Sequence, residues 1–263
     1  MSNHHLPLEV LDNIVDLLHD EPEALKQCCL ASKSWVPRTR RHLFADIKFR
    51  TAGDLMLWKK TFPDSANSPA HHARTLFVGC PKFVVAADAE DGGWIGAFSR
   101  VASLDVDNGK QLLDTSKASL APFRKFSYTI KSLRMSPILH PCPQLFNLIQ
   151  SSPLLENLNL TGNGEPFGDG GSPCDVHTVI PSTSPPLTGS LTLSILEGMG
   201  DTVRPLLDLP NGLHFRRLTL SSYHGDSLRW ITALVEECSD TLEFLHVAYT
   251  PGGTSASRLH LHP

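Results

Sequence analysis

Asp105 and Asp107 stand two positions apart in the segment VASLDVD, residues 101–107. On an extended strand that spacing puts both carboxylates on one face. Paired carboxylates can do acid–base work. Other residue types that carry chemistry are present without the pattern that chemistry needs. The histidine pairs His4-His5 and His71-His72 have no His-Glu-x-x-His around them and read as solvated surface. No Gly-x-Ser-x-Gly elbow occurs. The string GNGEPFG at 162–168 has the wrong glycine spacing for a phosphate loop and no helix after it, so it reads as a loop. Arg38, Arg40 and Arg41 form a small basic cluster that reads as a solvated helix face. Asn159-Leu160-Thr161 matches a glycosylation sequon by chance, since no secretion signal accompanies it. Asp105 and Asp107 therefore read as two solvated residues of a binding face. The sequence points to binding, with no catalytic residue, no metal and no cofactor.

The balance of the chain agrees with that reading. Of 263 residues, 41% are hydrophobic and 19% charged, ordinary values for a folded protein. A net charge of −4 gives no electrostatic footprint for nucleic acid. No run of eighteen apolar residues predicts a membrane span. The start, MSNHHLPLEV, lacks a basic region followed by an apolar core. Six cysteines without a Cys-x-x-Cys fit a reducing, intracellular compartment, cytoplasmic or nuclear.

The elements that would position a binding face repeat. An apolar–x–x–apolar–x–apolar pattern occurs at Phe44-Ile47-Phe49, Val101-Leu104-Val106, Ile130-Leu133-Met135, Leu155-Leu158-Leu160, Phe215-Leu218-Leu220 and Leu242-Leu245-Val247. Weaker copies are Ala73-Leu76-Val78 and Thr188-Leu191-Leu193. The central positions, 47, 76, 104, 133, 158, 191, 218 and 245, are separated by 25 to 33 residues. A short strand returning at that interval has the spacing of leucine-rich repeats. Helical spacing of apolar residues follows at Leu55–Phe62, Gln144–Ser151, Val203–Leu209 and Ser227–Cys238. Strand alternating with helix predicts parallel neighbours, with strands on a concave face and helices outside. Side chains between the inward leucines would form that face: Phe77, Asp105, Asp107, Arg134, Asn159, Thr161, Thr192, Ser194, Thr219, Ser221 and His246. Residues 162–190, rich in Gly, Pro, Ser and Thr, read as a surface loop. The tail 251–263 offers no convincing cap, although Leu259 and Leu261 could add a short strand.

The N-terminal stretch differs. In LPLEVLDNIVDLL, residues 6–18, Pro7 suits a helix start and Glu9 its positive end. The apolar pairs Val10-Leu11, Ile14-Val15 and Leu17-Leu18 make a stripe broad enough for two neighbours, and Asp12, Asn13 and Asp16 fall opposite. Pro22 opens a second helix through Leu25, Cys28-Cys29 and Leu30, and Ser32 reads as the N-cap of a third carrying Trp35, Leu43 and Phe44. Three short helices in about forty residues need a partner or the rest of the chain to cover them.

The order and spacing of Leu6, Pro7, Glu9, Val10, Leu11, Ile14, Leu18, Leu25, Leu30 and Trp35 resemble the F-box family over residues 4–48, with Ala31 departing from the usual Val. The repeats that follow, with the fuller signature LLENLNLTGN, resemble the degenerate leucine-rich arrays of fungal F-box proteins. The resemblance implies an α/β chain: a three-helix F-box at 4–48 and an irregular leucine-rich-repeat-like solenoid at 49–263. It implies that those ten residues dock on an SKP-family adaptor and, through it, on a cullin–RING ubiquitin ligase. The chain would then be a non-catalytic receptor subunit. Its substrate, an unknown protein, would meet the concave face, where Asp105, Asp107, Arg134, Asn159, Thr161, Thr192, Thr219 and His246 are the candidate contacts. No nucleic acid or membrane partner is expected. The alternatives are a leucine-rich scaffold that never meets the ligase and, in a different class, an enzyme on an α/β fold.

Overall fold

The computed structural model describes residues 7–79, 94–107, 121–136, 143–162, 186–195, 199–222 and 227–249. Leu6, His4-His5, most of the 162–190 segment and the 251–263 tail lie outside them. The described chain is α/β. Eight strands form one sheet in chain order, β1 (Asp46–Phe49), β2 (Thr75–Val78), β3 (Ser103–Asp107), β4 (Ser132–Ser136), β5 (Asn157–Gly162), β6 (Leu187–Ile195), β7 (Leu213–Ser222) and β8 (Phe244–Tyr249). Every neighbouring pair is parallel.

The register explains why the pattern repeats. Ile47, Leu76, Leu104, Leu133, Leu158, Leu191, Leu218 and Leu245 pair in succession across the sheet. These are the eight predicted central positions. A second row, Phe49, Val78, Val106, Met135, Leu160, Leu193, Leu220 and Val247, runs beside it. Both rows are buried from β1 to β7 and only half-buried in β8, at the sheet's edge. Successive strands enter alike: Ala102 and Ser103 both donate their N–H to Arg74 O, Lys131 and Ser132 to Ala102 O, and Glu156 and Asn157 to Lys131 O.

Helices supply the other side of the core. After three N-terminal helices, α1 (Leu8–Leu17), α2 (Pro22–Ala31) and α3 (Val36–Leu43), come α4 (Ala52–Thr61), α5 (Pro143–Gln150), α6 (Met199–Leu207) and α7 (Leu228–Glu237). Leu55, Leu145, Leu148, Ile149, Val203, Leu206, Ile231 and Leu234 join the buried strand residues in one cluster. Each such aliphatic side chain contributes about 1.5–3 kcal/mol on leaving water. The α4 helix begins with a capping box, in which Thr51 and Asp54 satisfy each other's backbone N–H. Between β2 and β3, and between β3 and β4, the described helical segments are 3-10 turns, Trp94–Ala97 and Ala121–Phe126.

Three local expectations are corrected. Ser32 does not begin the third helix: it ends α2 in extended conformation, its hydroxyl accepts from Ser34 N–H, and α3 starts at Val36 with Pro37 in its first turn. The surface-loop reading of 162–190 is too long, because Gly162 closes β5 and 187–190 already belong to β6. The helix expected at Val203–Leu209 runs from Met199 to Leu207, with Pro205 inside it, the residue that weakens its signature.

Candidate docking and binding surfaces

The N-terminal helices bury only half of their apolar stripe. In α1, Val15 is buried, while Leu11 and Leu18 are half-buried. Val10, Ile14 and Leu17, spaced four and three apart, lie along one face and are exposed, Leu17 to 82%. In α2, Leu25 is buried and Leu30, five positions on, is 81% exposed. Val15 and Leu25 do not belong to the sheet's cluster, so the triplet has a small core of its own.

Polar contacts fix that triplet. Asp16 of α1 accepts from Arg38 of α3 through both oxygens, Nε to Oδ1 at 2.6 Å and Nη2 to Oδ2, and His42 Nε2 lies 2.7 Å from Asp16 Oδ1. The Arg38 guanidinium, then His42, holds the Asp16 carboxyl well below the usual carboxylate range. Asp16 in turn raises Arg38. On the facing side, Thr39 is fully buried, donates to Trp35 O at 2.8 Å, and meets Cys29 Sγ of α2 at 2.7 Å. The triplet joins the sheet through contact of α3 with the Pro69–His72 turn. Phe44 adds a second link, edge-on to Trp58 and Phe62 of the α4 region.

Of the residues expected to meet an adaptor, Pro7, Glu9, Val10, Ile14 and Leu30 are exposed, and Leu11, Leu18 and Trp35 half-buried. Leu25, at 1% exposure, is buried beneath that surface. Leu17, part of the predicted stripe though not of the ten adaptor residues, is exposed, and so is Leu8, which neither set contains. Arg38, expected on a solvated helix face, instead pairs with Asp16, the residue opposite the apolar stripe, to form the α1–α3 clamp.

The open face of the sheet holds the second set. Between the two buried rows runs Lys48, Phe77, Asp105, Arg134, Asn159, Thr192, Thr219 and His246, in successive pairing. Asp105 and Asp107 share that face as predicted. Arg134 Nη1 stands 3.9 Å from Asp105 Oδ2 on the neighbouring strand. Burial pushes the Asp105 carboxyl up, and Arg134 opposes it. From β5 to β7 the face turns small and polar, with Asn159, Thr161, Thr192, Ser194, Thr219 and Ser221 half-buried. His72, expected in solvent, is half-buried beside α3, and desolvation lowers its proton affinity, helped by His71 and nearby arginines.

Among the described residues, no group of three or more His, Cys, Asp or Glu is arranged to hold a metal ion. No described helix is long and apolar enough to cross a membrane. No family model, no curated protein and no solved structure matches the chain.

Proposed function

We propose that this chain is the substrate-recognition subunit of an SCF-type ubiquitin ligase, with residues 4–48 as its F-box and the repeating sheet region as a leucine-rich-repeat-like solenoid. The observation that carries the reading is the half-used stripe of α1: Val15 packs inward while Val10, Ile14 and Leu17 stay in solvent, as does Leu30 of α2. An apolar face of that kind, next to polar surroundings, marks an interaction site. The SKP-family adaptor would cover it. The open face of the sheet would hold a target protein. Such a subunit accelerates transfer by proximity, raising the local concentration of a target lysine near the conjugating enzyme.

Co-purification with an SKP-family adaptor tests this, beside the same chain lacking residues 1–48. A complex that needs those residues supports the reading. A folded chain that binds no adaptor leaves the second reading, a leucine-rich scaffold whose helices only cover the β1 end of the sheet. The contact of α3 with the Pro69–His72 turn is the observation favouring that second reading.

A further inference from the structure

A groove of about 690 Å3 opens where β6 and β7 begin. Both strands start before their neighbours: β5 joins only at Ser190 and β8 only at Arg217. Across that overhang the pairing slips by one residue. Gly189 pairs with Phe215 and Ser190 with Arg217, so Arg216 is extra. Leu213 and Phe215 are buried, and strict alternation would carry Arg217 into the core after them. The bulge resets the phase, leaving Arg216 and Arg217 both exposed while Leu218 and Leu220 return inward. Gly189, at φ +89°, permits the close approach: a Cβ there would stand 2.0 Å from Glu156 O.

The two arginines then differ. Arg216 Nη1 is 3.6 Å from Glu243 Oε1. Glu156, the other carboxylate of the groove, is 3.3 Å from Lys131 Nζ. Among the described residues Arg217 has no acidic partner. Ser190 donates its hydroxyl to Asn157 Oδ1 at 2.6 Å, which leaves the Asn157 amide hydrogens for another acceptor. Thr188 and His214 are exposed beside them. The groove is thus lined by the Arg217 guanidinium fork, the Asn157 amide, Thr188 and His214, while its two carboxylates already stand beside cations.

We infer that this groove binds an oxyanion, a phosphoryl or carboxylate group, with Arg217 as its principal contact. A planar fork suits two oxygens of either group. The inference goes beyond the ligase reading and stands without it.

The test is a titration of the full-length, isotope-labelled protein with phenyl phosphate, with phenylacetate and with uncharged benzyl alcohol, following amides 188–190 and 214–217. Saturable shifts at those amides with an anionic probe are expected, none with benzyl alcohol, and binding at least tenfold weaker in Arg217→Gln. Arg217→Lys should fall between, keeping charge without the fork, and Arg229→Gln on α7 should bind as the parent does. Preference for phenyl phosphate assigns a phosphoryl source, and equal binding assigns any side-chain oxyanion. Absence of saturable shifts with both anions, or binding unchanged in a folded Arg217→Gln, overturns the site. Adaptor co-purification of Arg217→Gln separates the two proposals, because the groove can fail while the adaptor still binds.

Discussion

Asp16 and Arg38, twenty-two positions apart, close into a two-point ion pair that ties α1 to α3. The two side chains are 35% and 30% exposed, so solvent screens part of their attraction. His42 sits on the same carboxylate and extends the clamp to a second turn of α3. The orientation of the exposed face of α1 depends on this contact.

The clamp predicts a pH dependence. The Asp16 carboxyl is depressed in the fold, first by Arg38 and then by His42. A depressed carboxyl stabilises the fold above its unfolded value of about 3.9 and loses that contribution as pH falls from there through its folded value. Asp16→Asn should therefore cost about 1 kcal/mol at pH 7, after screening. In urea unfolding, the gap between parent and variant should shrink at pH 3. A gap that widens on acidification would contradict the clamp.

The split stripe of α1 and α2 predicts two kinds of variant. Val15→Ala and Leu25→Ala remove buried atoms; Leu25→Ala should cost about 2–5 kcal/mol and Val15→Ala less. Leu17→Ala and Leu30→Ala remove exposed ones and should stay within about 0.5 kcal/mol. Thermal melts followed by circular dichroism decide this, and equal losses in both pairs would mean that Leu17 and Leu30 are packed.

The row at the centre of the sheet predicts that Leu158→Ala costs about 2–5 kcal/mol as a core truncation. Asn159→Ala, one residue on and facing the open side, should cost far less. An unchanged melting curve for Leu158→Ala would show that the strand is in the opposite phase.

Gly189→Ala should destabilise the chain by about 1–3 kcal/mol, because the left-handed backbone is strained for alanine and the new Cβ meets Glu156 O. Chemical denaturation measures it. A neutral result would mean the bulge relaxes without cost.

Much of this architecture was legible in the residues. Apolar residues at alternate positions, returning every 25 to 33 residues, place the centres of all eight strands, since burial on one face of a sheet demands that alternation. Side-chain contacts between distant segments were not legible. Nothing near Asp16 names Arg38, and the exposure of Leu17 depends on how three helices close. The bulge was written in the sequence, though unread: in Leu213-His214-Phe215-Arg216-Arg217-Leu218, two successive arginines break the alternation that flanks them. Composition rich in Gly, Pro, Ser and Thr makes 162–190 read as loop to its end, whereas Gly189, at positive φ, and Ser190 already belong to β6.

We propose above all that the exposed stripe of α1 docks an SKP-family adaptor. The most direct measurement is calorimetric titration of the purified chain with that adaptor, parent against Leu17→Asp. We predict a one-to-one complex for the parent and an affinity about 30-fold weaker or worse for the variant, whose own melting curve is unchanged. No heat of binding for a folded parent, or equal binding by both proteins, would contradict the account.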